Sequence, residues 1–345
     1  MRFGLLLALL LSLLPLHAAV ERGDIDGAKF MIATPEKWQG KLILVAHGYH
    51  PEGGELEADF DENFGYRKEL IEQGWCVAQT SYRRNGWIIE DAIEDLKALR
   101  EHVAERYGKV ECCILIGSSM GGLIGARIAE GAMNGVDGCV LIGAYLGGNG
   151  REEGKYYASL TWQPRVPILY LANEGEREHP KYYRGKAGAE KTALWEINRP
   201  VHCNVSEPER LAAVAVLDAW ISGKGMVREK DGTIYPPLRT STAKDEQGSL
   251  VAKVTAVSEG FGNLSTDFVA ADLEKLGLKV GDAALLKKGE KTLEVKVTLY
   301  WSEVEEGKGC VYVAPEGWLG IVINSGRAAD ALGVRKGDAV SLKGK

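Results

Sequence analysis

From Lys41 to Ile221, short apolar runs alternate with stretches in which apolar positions recur every three or four residues. Leu42–Ala46, Trp75–Gln79, Cys112–Ile116, Gly138–Gly143 and Val166–Leu171 read as buried strands. Between them, Glu90 to Tyr107 reads as a helix: Ile93, Leu96, Leu99 and Val103 share one face, charges fill the other, and Gly108 ends it. Leu123 to Ala132 predicts a second helix. A further one starts at Ser206, where Ser206 and Glu209 have capping-box spacing and Glu207 suits the positive end of the helix dipole. Leu211, Val214, Leu217 and Ile221 mark its apolar face, and Gly223 and Gly225 break it.

Repeated strand–helix–strand units predict an α/β fold, with a mostly parallel sheet covered by helices on both faces. Ligand sites in such sheets lie at the carboxyl ends of the strands. After Gly223 the pattern changes. Residues 226–247 carry charges, Gly and Pro with little periodicity and read as a linker. From 248 to 345 short β-rich runs dominate (Leu250–Val257, Thr292–Trp301, Cys310–Val313, Trp318–Ile323), which predicts a smaller C-terminal β-rich domain. The expected division is a signal peptide at 1–19, an α/β domain at 20–225, the linker, and this second domain.

Composition narrows the picture. The chain has 345 residues and a formal net charge of −6. No basic tract stands out, so a nucleic-acid partner is not expected. Arg2, an apolar run from Phe3 to Leu14, Pro15 and the small residues Ala18 and Ala19 follow the order of a secretory signal. The expected location is therefore secreted or periplasmic. No later stretch is long and apolar enough to span a bilayer, so no stable membrane insertion is expected after cleavage. Export permits disulfides among the six cysteines, but sequence does not set their pairing. Their spacing does not resemble a zinc site. Neither a metal nor an organic cofactor is expected.

The chemistry centres on Gly117-Ser118-Ser119-Met120-Gly121. A serine hydroxyl needs a base to become nucleophilic. Gly-x-Ser-x-Gly between a strand and a helix lifts the serine above the sheet on a sharp turn, and here a strand enters and a helix leaves. Ser119 is the expected nucleophile. The oxyanion donors are expected from the backbone N–H of Met120 and, after the strand ending at His47-Gly48, that of Tyr49. His47 itself is expected to brace this loop. In the chain order serine, acid, histidine, two histidines follow Ser119. His202 is preferred over His179, which leaves little chain for an acid. The expected acid is Glu176, with Glu174 and Glu178 as rivals.

With these residues in hand, the stretch 25–225 resembles the α/β-hydrolase superfamily, in particular exported bacterial esterase or peptidase-like members. His47-Gly48-Tyr49, Gly-Ser-Ser-Met-Gly-Gly at 117–122, and His202-Cys203-Asn204 carry the resemblance. In those relatives the acid is commonly Asp in a Gly-Asp pair, whereas Gly175-Glu176 stands here. The resemblance implies hydrolysis of an ester, thioester or amide of a small molecule or a polymer, and names no substrate.

The second domain resembles another family. Glu259 to Asp267 is similar to the Phe-Gly-Asn-Leu-x-Thr-Asn run of the C-terminal domain of S-adenosylmethionine hydroxide adenosyltransferases, and Gly317 to Val340 fits the same domain. The resemblance implies that Phe261 stacks on a base and Asn263 bonds it, although both also suit structural turns. The N-terminal half of that family's site is absent. Its adenosine-holding Asn-Ser-x-Gly turn reads Ala314-Pro315-Glu316-Gly317, and Asp267 replaces an Asn. Adenosyl chemistry is therefore not expected. Two functions compete: a serine hydrolase, or a non-catalytic hydrolase-like binding protein whose β-domain recognises a nucleoside or glycan. In a variant of the first, the β-domain is a lid or substrate-positioning module over Ser119.

Overall fold

The computed structural model describes residues 19–345 except 64, 148–158, 201, 236–238, 259–260 and 300. The expected signal segment thus lies outside the described residues, apart from Ala19. That residue opens β1 (Ala19–Ile25), which turns through Asp26-Gly27 into β2 (Ala28–Thr34). Both turn residues have positive φ, as a two-residue hairpin turn of the right twist requires.

β2 pairs antiparallel with β4 (Cys76–Thr80), which runs parallel to β3 (Lys41–Ala46). Parallel pairing continues through β5 (Cys112–Ser118), β6 (Gly138–Ile142), β7 (Ile168–Ala172), β8 (Thr192–Glu196) and β9 (Lys230–Asp231). The order across the sheet is β1-β2-β4-β3-β5-β6-β7-β8-β9. The central strands are buried on both faces, which is why they read as unbroken apolar runs.

α1 (Gly65–Glu72) and α5 (Glu207–Ile221) cover one face; α2 (Ile89–Tyr107), α3 (Met120–Arg127) and α4 (Glu178–Ala187) cover the other. The helix expected from Leu123 to Ala132 instead starts at Met120 and passes after Arg127 into a π-helical turn at Ile128–Ala132. The early start matters, because it sets the helix directly behind Ser119.

The stretch 226–247 is more than a tether. β9 extends the first sheet along β8, the Arg228 carbonyl accepts from Trp195 Nε1 at 3.2 Å, and Lys230 lies 4.1 Å from the Trp195 ring centroid. β10 (Lys244–Glu246) already belongs to the second sheet. Local periodicity misses this, because a two-residue edge strand is fixed by what it packs on.

The second sheet comprises β11 (Ser249–Val257), β12 (Leu264–Val269), β13 (Ala283–Lys288), β14 (Lys291–Val297), β15 (Gly309–Val313), β16 (Trp318–Ile323) and β17 (Ala339–Gly344), with β10 at its margin. Pairing of β17 with both β13 and β11 closes it into a barrel around Val254, Phe268, Leu286, Val311 and Leu342. Two short helices, α6 (Ala270–Lys275) and α7 (Ala328–Leu332), complete the domain.

Candidate active site

β5 delivers Ser119 to the carboxyl end of the sheet. Its backbone stands at φ 57°, ψ −116°, a conformation that costs a non-glycine residue energy and that clusters at functional sites. The surroundings enforce it. The Ser119 N–H donates to the Ile142 carbonyl at 2.9 Å, and the Ser119 carbonyl accepts from Gly122 N–H at 2.9 Å and Tyr145 N–H at 3.2 Å. The flanking glycines answer to close approach. A Cβ on Gly121 would overlap the Ala46 carbonyl, and one on Gly117 would overlap the Gly121 carbonyl. The pentapeptide pattern is therefore a steric requirement of this turn.

Ser119 Oγ lies 2.7 Å from Nε2 of His202. The other ring nitrogen, Nδ1, is held by the carboxylate of Glu176. Of the three acids weighed from sequence, Glu176 is the one that reaches the imidazole. Glu174 is tied through its N–H to the Arg199 carbonyl, and Glu178 opens α4. His179, the rival base, lies beside Tyr145 with ring centroids 5.6 Å apart. Glu176 is placed by a turn in which its N–H donates to the Asn173 carbonyl at 3.0 Å; its carboxylate accepts from Asn173 N–H at 3.2 Å and Cys203 N–H at 3.1 Å.

The loop bearing His202 is braced from below. Asn173, fully buried, donates through Nδ2 to the carbonyls of Asn204 at 2.9 Å and Arg199 at 3.2 Å. Arg199 donates to the Asn204 carbonyl and pairs with Glu209. Glu209 also accepts from Ser206 N–H and Ile234 N–H, each at 2.7 Å, so the capping box is also the anchor of the histidine loop. Sequence reading named Glu209 as a cap but not this second task. Asn173 and Arg199 it did not single out; a polar residue directly after the buried run Ile168–Ala172 was the available signal.

Cys203 stands at φ 56°, with Sγ 3.4 Å from the Ile142 carbonyl and 3.7 Å from His202 Nε2. The hydrogen bond to Cys203 and then that to Glu176 hold the imidazole's pKa up, to about 10, against partial burial. Ligand atoms of Glu176, His202 and Cys203 lie within 4.8 Å of one another. Both ring nitrogens of His202 already have partners, Glu176 on Nδ1 and Ser119 Oγ on Nε2.

His47 is buried, and burial, with His50 adding to it, pushes its pKa down to about 4. Its Nδ1–H donates to the Gly48 carbonyl at 2.7 Å, and its ring stacks on Tyr82 and His50. That is a bracing position. Gly48 lies directly against Ser119: a Cβ there would sit 3.9 Å from Oγ. Tyr49 follows, with its ring exposed and 6.0 Å from that of Trp87. Met120 is the first residue of α3, so its N–H is among those a helix start leaves without an intrahelical partner.

The second domain meets the first around this site. Phe261 packs edge-on against His50, centroids 4.9 Å apart, and Glu316 Oε1 accepts from Glu207 N–H at 3.2 Å. Phe261 therefore sits at the junction. The Asn263 carbonyl accepts from Ser258 N–H at 2.9 Å within its own turn. All six cysteines are free, so none of the disulfides that export would permit is present.

Comparison with known proteins agrees with both resemblances. Residues 83–178 match the family model described as serine aminopeptidase, S33, and residues 253–341 match that of the SAM hydroxide adenosyltransferase C-terminal domain. A curated relative, the o-phthalyl amidase of Xanthobacter agilis, is 30% identical over 129 residues, which is 36% of this chain. The chain spans about a quarter of that relative's length, 27%. Among solved structures, 2,6-dihydroxy-pseudo-oxynicotine hydrolase is 14% identical with a TM-score of 0.46, covering 61% of this chain and 70% of its own. An esterase from Pyrococcus furiosus is 17% identical with a TM-score of 0.41, covering 60% and 90%. Two separate parts of the chain are thus similar to known families: part of the parallel-sheet domain to the serine aminopeptidase model, and the β-barrel to the adenosyltransferase C-terminal model.

Proposed function

We propose that this chain is a serine hydrolase that cleaves a carboxylic ester, thioester or amide through an acyl-enzyme. The observation that carries the reading is the continuous line from Glu176 to His202 Nδ1 and from His202 Nε2 to Ser119 Oγ at 2.7 Å, on a turn strained at φ 57°. Ser119 attacks the carbonyl as His202 takes its proton. Glu176 holds the tautomer with Nδ1 protonated and stabilises the imidazolium. The N–H groups of Met120 and Tyr49 receive the oxyanion. His202 then returns the proton to the leaving group, and water repeats the sequence in reverse to free the acid. The named activity of the Xanthobacter agilis relative, an amidase, is of the same reaction class.

The rival reading, a binding protein on a hydrolase scaffold, would gain if no acid reached His202; the contact of Glu176 with Nδ1 supports the hydrolase instead. A fluorophosphonate probe tests the proposal. Labelling of folded protein at Ser119, lost in Ser119→Ala, is the expected result; an unlabelled folded protein refutes it. Export from the 1–19 segment is part of the same proposal. It is checked by locating the processed chain after cell fractionation.

A further inference from the structure

A cleft of about 540 Å³ opens beside His202, with Gly48 and Ser118 on its rim. One wall is Tyr66 and Arg67 of α1 with Arg210 of α5. The opposite wall comes from the barrel: Leu299, Trp301 and Trp318. Leu299 and Trp301 are exposed apolar side chains, at 46% and 53%. Exposed apolar groups beside a reactive centre are available to a ligand.

Arg67 is the group that calls for explanation. Its Nη2 donates to Gln79, a neutral acceptor, at 3.0 Å, and its guanidinium stacks on Phe60 and Tyr66. Its Nε is buried and makes no hydrogen bond, and no described carboxylate lies within ion-pair distance of it. Arg210 packs on the other side of the wall against Tyr66 and likewise has no ion-pair partner among the described residues. Two acids also line the cleft: Glu316 accepts from the N–H at the start of α5, and the Glu207 carboxyl is pushed up by burial and then by Glu316, with Arg239 and Arg210 opposing the shift. The buried Nε does not open on the cleft, but Nη1 has no acceptor among the described residues, and a guanidinium at a cleft with such a donor is set up for an oxyanion of the ligand. The same two glutamates disfavour a dianion such as a phosphate monoester, which leaves a carboxylate.

We propose that this interdomain cleft binds a carboxylate-bearing aromatic or similarly flat apolar part of the substrate, with Arg67 pairing its carboxylate and the barrel's Trp301 covering its ring. This rests on the hydrolase reading for the reaction but not for the binding. The barrel is then half of the specificity pocket, and the substrate class is an ester or amide that carries a second, free carboxylate.

The test uses the full chain with Ser119→Ala, so that binding is read without turnover. Calorimetry compares 4-ethylbenzoate with its neutral amide. The expected result is a preference for the acid of about tenfold or more, abolished by adding Arg67→Met and retained in part with Arg67→Lys. Trp301→Ala is expected to weaken acid and amide alike. Equal binding of acid and amide, or a preference that survives Arg67→Met in a protein with an unchanged melting profile, overturns the proposal. Fluorophosphonate labelling of wild type is run in parallel: a carboxylate preference without labelling sinks the serine mechanism alone, and labelling without preference sinks the subsite alone.

Discussion

Cys203 Sγ stands 3.7 Å from Nε2 of His202, the same nitrogen that faces Ser119 Oγ. His202, the proposed general base, therefore has two partners that favour its charged form, Cys203 and Glu176, and its pKa is raised to about 10. Only the neutral imidazole accepts a proton from Ser119, so activity is gained as pH rises through that value. The ascending limb of kcat/KM should lie well above the usual histidine range. Cys203→Ala should shift it downward. The sign for stability is opposite: the charged pair stabilises the fold fully below the unfolded pKa of about 6.5 and is lost as pH rises toward 10. A limb near pH 6.5 that Cys203→Ala leaves in place contradicts this account.

Glu176 holds Nδ1 and also accepts from two backbone N–H groups. Glu176→Gln preserves size but lets the amide favour the wrong imidazole tautomer. A drop in kcat on the order of 10²–10⁴ is expected, with little change in melting temperature. Steady-state kinetics with a chromogenic ester measures it. Unchanged kcat would remove Glu176 from the mechanism.

Gly121 has the Ala46 and His47 carbonyls where a Cβ would go, whereas Gly175, one residue before the acid, has open space. Gly121→Ala should therefore fold poorly or lose activity by distorting the turn under Ser119. Gly175→Ala should be within about 0.5 kcal/mol of wild type. Thermal melts and labelling of the two variants side by side make the comparison.

Glu209 is fully buried, with its carboxylate shared among Arg199 and two backbone N–H groups. Removing it leaves a nearly buried guanidinium without its counter-charge, a change that typically costs about 3–5 kcal/mol. Glu209→Ala should also lower kcat, because Arg199 and Asn204 carry the loop of His202. Urea denaturation and ester hydrolysis on the same preparation test both halves. A stable variant with depressed kcat would separate the loop from the fold.

What was legible in the sequence divides along physical lines. Ser119 was readable because its turn is local: the glycines are demanded by atoms a few residues away and by one neighbouring strand. His202 followed from chain order once the last helix was recognised by its cap. Glu176 is preferred from sequence by its distance past the strand, but Glu174 and Glu178 stay as rivals, since the choice depends on the Asn173 turn and on Cys203, 27 residues on. The N-terminal hairpin escaped for two different reasons. β1 is a half-exposed edge strand with no strict alternation, and β2 is buried on both faces, so its run carries no period. Arg67 gave no signal at all. Its meaning comes from the missing carboxylate and from a barrel more than two hundred positions downstream, and neither leaves a trace in local pattern.

Glu316 occupies the turn that, in the adenosyltransferase family, reads Asn-Ser-x-Gly, and here its carboxylate meets the first N–H of α5. That helix begins four residues after Cys203. The contact between the two domains and the loop bearing His202 thus meet at one place, the N-terminal turn of α5, so the barrel's seat and the imidazole's support share a single footing.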